Sequence, residues 1–424
     1  TGMSTSYNRS ERLAAGLMAR MPWAKKVAKK AYQRLNFAFY RREHHWDSPY
    51  VLRRFDHEGL ETFYGYYDRS PESPDGRHLL FHAVNPPSTG MPLPEEIAWL
   101  VVYNLQEERP VFRCSTTSFN WQQGARALWV DDQHFIFNDY DAEADRHCSR
   151  LISLAHGRAV KTYPVPIYDV AGYVAVSLSF DRLQLLRPEY GYRDRAGKIS
   201  LAQLNDEQDG ITFLDLRSGA QRQLLSINAL RSFEREDSFE DAHHWVNHLM
   251  LSPSGQSLMF LHRWRRGGRV HHRLMHMATD GSALRVLVSG MVSHCTWKGE
   301  DQIIGYMSPQ GGPGEYYLLD LNSGTRRVIG QGVLDRYGDG HPGMRGEKML
   351  FDTYPDRSRM KDLLLFELGD AMPERLGSFF EGFRYYGPSR CDLHPRWSRD
   401  GRVVYFDSVH EGVRRLYALH LHEA

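Results

Sequence analysis

Short stretches in which apolar and polar residues alternate recur along this chain, and each follows a turn. One half of the recurring unit is a turn leading into an apolar strand. It reads SPDGRHLLFHAV from Ser73, VDDQHFIFND from Val130, SFDRLQLLRPEYGY from Ser179 and SPSGQSLMFLHRW from Ser252. It returns as KGEDQIIGYM from Lys298, RGEKMLFDTY from Arg345 and SRDGRVVYFDS from Ser398. The other half is an alternating strand, centred near Val102, Leu151, Phe213, Met275, Leu318, Leu365 and Tyr417. Period-2 alternation closed by Asp-Gly and Ser-Gly turns predicts antiparallel strands. Four-stranded sheets repeated at this period stack radially and leave only short edges. The pattern therefore predicts an all-β fold, a seven-bladed β-propeller over residues 46–424. Its last unit lacks an outer strand, and residues 50–60 are expected to supply it and close the ring, because an open edge is a liability.

Residues 1–45 read differently, as a helical arm. Between residues 9 and 42 there are ten Lys or Arg and one acid, Glu11, around an apolar stripe that includes Leu13, Leu17, Val27, Leu35 and Phe39. Such a basic amphipathic helix can lie on an anionic membrane surface or dock on a protein partner. A helix packed across the propeller's flank has the same pattern.

The net charge of +1 excludes a global field that recruits nucleic acid. The four cysteines, Cys114, Cys148, Cys295 and Cys391, form no CxxC pair and suit reduced thiols better than a disulfide framework. With no apolar run long enough to span a bilayer, a cytoplasmic protein is expected, with the arm available to the inner membrane face.

Polar residues cluster just before the strand turns. His294 and His341 each stand five residues before a turn glycine, and His248 and His394 stand seven before theirs. Offsets that differ by two place side chains on one face of a strand, so four histidines from four consecutive units are expected to meet in one central volume. Converging imidazoles can ligate a divalent cation or transfer protons near neutral pH, and this spacing leaves both open. Tyr64, Tyr66, Tyr67, Gln122 and Gln123 are expected to complete the ring. A second basic and aromatic group, Arg187, Tyr190, Tyr192, Arg263 and Arg390, could bind carboxylates bidentately and stack on sugar rings.

The segments NHLMLSPSGQSLMFLHRW, VSHCTWKG, GHPGMRGEKMLFDTYPD and RCDLHPRWSRDGRVVYFDSVHEG resemble the oligogalacturonate-lyase-like propellers, and more loosely the propeller ulvan lyases. The likeness runs over most of residues 60–420. It implies β-elimination of a uronic-acid-containing oligo- or polysaccharide. It implies His248 as the base, His294, His341 and His394 as ligands of a divalent metal such as Mn or Zn, and Tyr192 and Arg263 as proton donor and charge-neutralising group. Arg187, Tyr190, Gln122, Gln123, Tyr67 and Arg390 then fall to substrate binding. Hydrolysis would want two carboxylates flanking the bond, and Asp68, Asp339 and Asp392 are the only obvious channel acids. A non-catalytic glycan-binding or scaffolding propeller in a polysaccharide biosynthesis system is the alternative.

Overall fold

The computed structural model describes residues 22–309 and 311–421. The SPDG, SPSG and SRDG segments fold as tight turns: Gly76, Gly255 and Gly401 each take a positive φ and donate their N–H to the carbonyl of Ser73, Ser252 or Ser398. Only glycine adopts that backbone at no steric cost. Each turn delivers an almost fully buried strand, His78–Val84, Ser257–Arg266 or Val403–Ser408.

The strands form an all-β fold of antiparallel sheets in simple up-and-down order. Four four-stranded sheets and one of five strands account for most of the chain. A seven-stranded sheet holds the rest, because one long strand, Arg285–Lys298, pairs with Arg269–Ala278 along its first part and with Gln302–Pro309 along its second. Val51–Phe55 pairs with Arg415–His420, from Val51 opposite His420 to Phe55 opposite Leu416, so the start of the β region completes the last sheet.

Neighbouring repeat units are tied by tryptophans. The indole N–H groups of Trp129, Trp297 and Trp397 donate to the carbonyls of Pro71, Met250 and Gly343, each in the preceding repeat unit. Apolar clusters fill the spaces between, the largest running from Tyr66 through Trp245 to Leu321.

The strand expected from Ser179 is a helix, Phe180–Leu186, and the strand of that unit lies just before it, Val174–Leu178. Ser179 caps the helix by accepting from the Arg182 N–H, and Phe180, Leu183 and Leu186 recur at the spacing that buries one helical face. Of the N-terminal arm, residues 1–21, with Leu13 and Leu17, lie outside the described residues. A helix covers Pro22–Tyr40 and sets Phe37 against Phe380 and Phe383, while Leu35 and Phe39 stay exposed. No helix among the described residues is long and apolar enough to cross a membrane.

Candidate functional site

The four histidines come from the innermost segments of four successive units, and their rings form one continuous row. Ring centres are 5.9 Å apart for His248 and His294, 4.1 Å for His294 and His341, and 4.3 Å for His341 and His394. All four are buried. Local backbone irregularity aims them inward: His248 and His394 take the left-handed conformation, and the strand carrying His294 slips register between Val292 and Cys295. Bulges of this kind re-aim a side chain out of the regular alternation.

Oxygen acceptors fix three of the imidazoles. His341 Nδ1 lies 2.8 Å from Asp352 Oδ1, His294 Nδ1 lies 3.2 Å from Asp339 Oδ1, and His394 Nδ1 lies 2.6 Å from the Gly65 carbonyl. Carboxylates and carbonyls only accept, so Nδ1 carries the proton in each ring, and a neutral ring then has its lone pair on Nε2. The Nε2 atoms of His341 and His394 are buried without a hydrogen-bond partner. Gly65 is needed for this arrangement: it has φ +120°, and a Cβ there would stand 2.7 Å from the Gln123 backbone.

His248 has a different neighbourhood. Its Nδ1 lies 2.7 Å from the Tyr66 hydroxyl, the two rings stack at 5.4 Å, and Tyr190 meets the imidazole edge-on at 5.5 Å. Burial, reinforced by the charge of Arg263, holds this imidazole well below its ordinary pKa. Burial likewise raises the Tyr66 phenol well above its own. Arg263 is 5% exposed, forms no ion pair with any acid among the described residues, and leaves its Nε without a partner. Burial, and then the charge of Arg187, push its guanidinium down to about 10. Arg187 pairs with Glu189 at 2.7 Å and covers the Tyr190 ring, and Arg390 pairs with Asp392 at 2.6 Å.

The remaining expected site residues divide. Tyr192 is not in the row: it is buried against Phe180 and His147, and its hydroxyl accepts from Asn138. The helix at Phe180–Leu186 turns it that way, and Tyr66 occupies the place beside His248. Tyr67 lends its ring to the row, 5.2 Å from His341, but its hydroxyl is held by the Cys295 backbone. Gln122 donates to the Arg390 carbonyl and Gln123 to the Tyr168 hydroxyl, which positions their partners. His262 is structural: Arg273 donates to its Nδ1, so its Nε2–H donates to His244.

No protein-family model and no curated protein sequence matches this chain. Among solved structures, oligogalacturonate lyase from Vibrio parahaemolyticus superposes with a TM-score of 0.58 at 13% identity, covering 89% of this chain and 97% of that one. The chain has the fold of an oligogalacturonate lyase. An oligogalacturonate lyase in complex with manganese and TolB from Acinetobacter baumannii match at TM-scores of 0.40, each at 12% identity. They cover 91% and 81% of this chain, and 96% and 80% of their own.

Within this fold, three groups that could hold a divalent metal stand together, His341, Asp392 and His394, whose candidate ligand atoms all lie within 4.8 Å of one another. His294, expected as a ligand, is not in that group, and Asp392 is its third member. The residues fit a divalent cation on chemical grounds. Two imidazole lone pairs are orphaned, each ring is oriented by an acceptor on its other nitrogen, and a carboxylate stands beside them. Burial alone would raise the Asp392 carboxyl, but Arg390, and then His341, hold it well below the usual range and keep it ionised. Asp352 overcomes the effect of burial on His341 and raises its pKa.

Proposed function

We propose that this protein is a seven-bladed propeller lyase that cleaves a uronic-acid-containing glycan by β-elimination in its central channel. The split pairing of Arg285–Lys298 supports counting the seven-stranded sheet as two blades. The observation that carries the chemistry is Arg263, a buried guanidinium with no carboxylate partner among the described residues, set beside a neutral histidine. A buried charge without a partner is costly, and a substrate carboxylate is the natural counterion.

In this reading the uronate carboxylate lies on Arg263 and Arg187, which neutralise it and so acidify the C5 proton. His248 Nδ1–H donates to the Tyr66 oxygen, leaving Nε2 to take that proton. The C5–H electron pair becomes the C4=C5 double bond as the C4–O bond breaks. Tyr66, kept protonated by burial, gives its proton to the departing glycosidic oxygen and recovers one from His248 Nδ1. A divalent cation on His341, Asp392 and His394 would supply further Lewis-acid stabilisation of the carboxylate.

The test is the ultraviolet absorbance of an unsaturated uronide, followed on a panel of acidic glycans with the native protein and His248→Ala. Product from the native protein alone supports the reading. Product formation that survives His248→Ala overturns the assignment of the base.

A further inference from the structure

A second depression lies outside the channel, a cleft of about 420 Å³ lined in part by Thr116, Asp139, Tyr140 and Asp194. It opens at the same end of the sheets as the channel site. In the first sheet Glu61, Val84, Ala98 and Thr116 stand in register at one end, where the innermost strand begins. The cleft is built from chain connections at that end. Two of these connections reach both places. Residues 179–209 carry Arg187 and Tyr190 to the channel and Asp194 to the cleft. Residues 117–127 carry Thr117 to the cleft and Gln122 to Arg390. The two sites are therefore neighbours along one face.

Their chemistry is opposite. Three arginines serve the channel, whereas the cleft lining contains no Lys or Arg and two aspartates. Asp139 is paired with Arg150 at 2.6 Å. Asp194 is 7% exposed; its Oδ2 accepts from Ser118, but its Oδ1 has no hydrogen-bond partner, with His147 Nε2 standing off at 3.6 Å. Pro94, Ile97 and Tyr140 add apolar and aromatic surface around these acceptors. Carboxylate oxygens that only accept, next to apolar faces, suit the hydroxyls and C–H face of a sugar ring, and the lining itself offers a uronate carboxylate no cation.

We infer that this cleft is a distal glycan subsite for a neutral sugar residue, so that the substrate is a heteroglycan in which uronate and uncharged sugars are combined. The inference rests on the lyase reading of the channel for its place in the reaction, but the cleft can be tested by itself.

Saturation-transfer NMR on the full chain would use methyl glycosides of glucose, galactose, mannose and rhamnose, with galacturonate as the charged comparison. Transfer to at least one neutral glycoside is expected, and it should vanish in Ala142→Trp, which fills the cleft from an exposed lining position. The same variant should lower kcat/KM for a polymer of alternating uronate and neutral sugar about tenfold relative to a short all-uronate oligomer. No neutral glycoside bound, binding untouched by Ala142→Trp, or galacturonate preferred at the cleft would each overturn the inference. Cleft binding without elimination of any glycan would overturn the lyase reading and leave the cleft standing.

Discussion

Replacing Arg263 with Met should make the protein more stable while destroying its use of carboxylates. The lowering of this guanidinium from 12.5 to about 10 corresponds to roughly 3 kcal/mol, at about 1.4 kcal/mol per tenfold change. That energy is spent on holding the charge in a buried position that no acid among the described residues pairs. Methionine has no charge to desolvate and fills much of the same space, and such replacements are commonly neutral or stabilising. Unfolding entropy of about 2.1 cal/mol/K per residue, over 424 residues, converts the full relief into a rise in Tm of about 3–4 °C. Thermal unfolding followed by circular dichroism, with and without galacturonate, is the assay. The native protein should gain stability from galacturonate, and Arg263→Met should start higher and gain nothing. A variant that melts below the native protein, or that is stabilised by galacturonate to the same extent, would show that Arg263 is neither strained by burial nor the carboxylate's partner.

Tyr66→Phe should lower kcat on the order of 100-fold. Tyr192→Phe should leave kcat nearly unchanged and cost about 1 kcal/mol in urea unfolding, through the lost Asn138 bond. Removing metal-site groups separates binding from orientation: His341→Ala should abolish stoichiometric Mn or Zn binding in calorimetry, and Asp352→Asn should weaken it about 10- to 100-fold. Acid should destabilise the fold. Burial lowers His82 from 6.5 to about 4, so below pH 6.5 the unfolded chain takes up a proton that the folded one refuses. Stability present above pH 6.5 is thus lost as pH falls, by about 2 kcal/mol at pH 5 from this group alone. An unchanged urea midpoint between pH 7 and pH 5 would contradict it.

The alternating strands and their turns were legible in sequence because period-2 patterning and turn glycines are local signals. The meeting of the four histidines was legible for a less direct reason. Matched offsets from the turn glycine brought them to one region, but the register shifts at His248 and His294 and the left-handed backbone at His394 do the final aiming, and no residue pattern announces those. Tyr192 was misplaced for a local reason as well: SFDRLQLL alternates loosely enough to read as a strand, yet Ser179 and the Phe180–Leu183–Leu186 spacing start a helix that turns the following loop. Tyr66, adjacent to Tyr67 in GYYD, carried the missing signal only as one of a group of tyrosines. Asp392 was visible as an acid but not as a partner of His341 and His394, since that grouping depends on segments 51 residues apart in the chain folding against each other.

The most direct test of elimination at His248 is a crystal structure of His248→Ala bound to a uronate oligosaccharide. The uronate carboxylate is expected in hydrogen-bond contact with Arg263, with C5 turned toward the space left by the imidazole and the Tyr66 hydroxyl near the glycosidic oxygen. A sugar bound with its carboxylate away from Arg263, or with C5 facing another side chain, would contradict that mechanism.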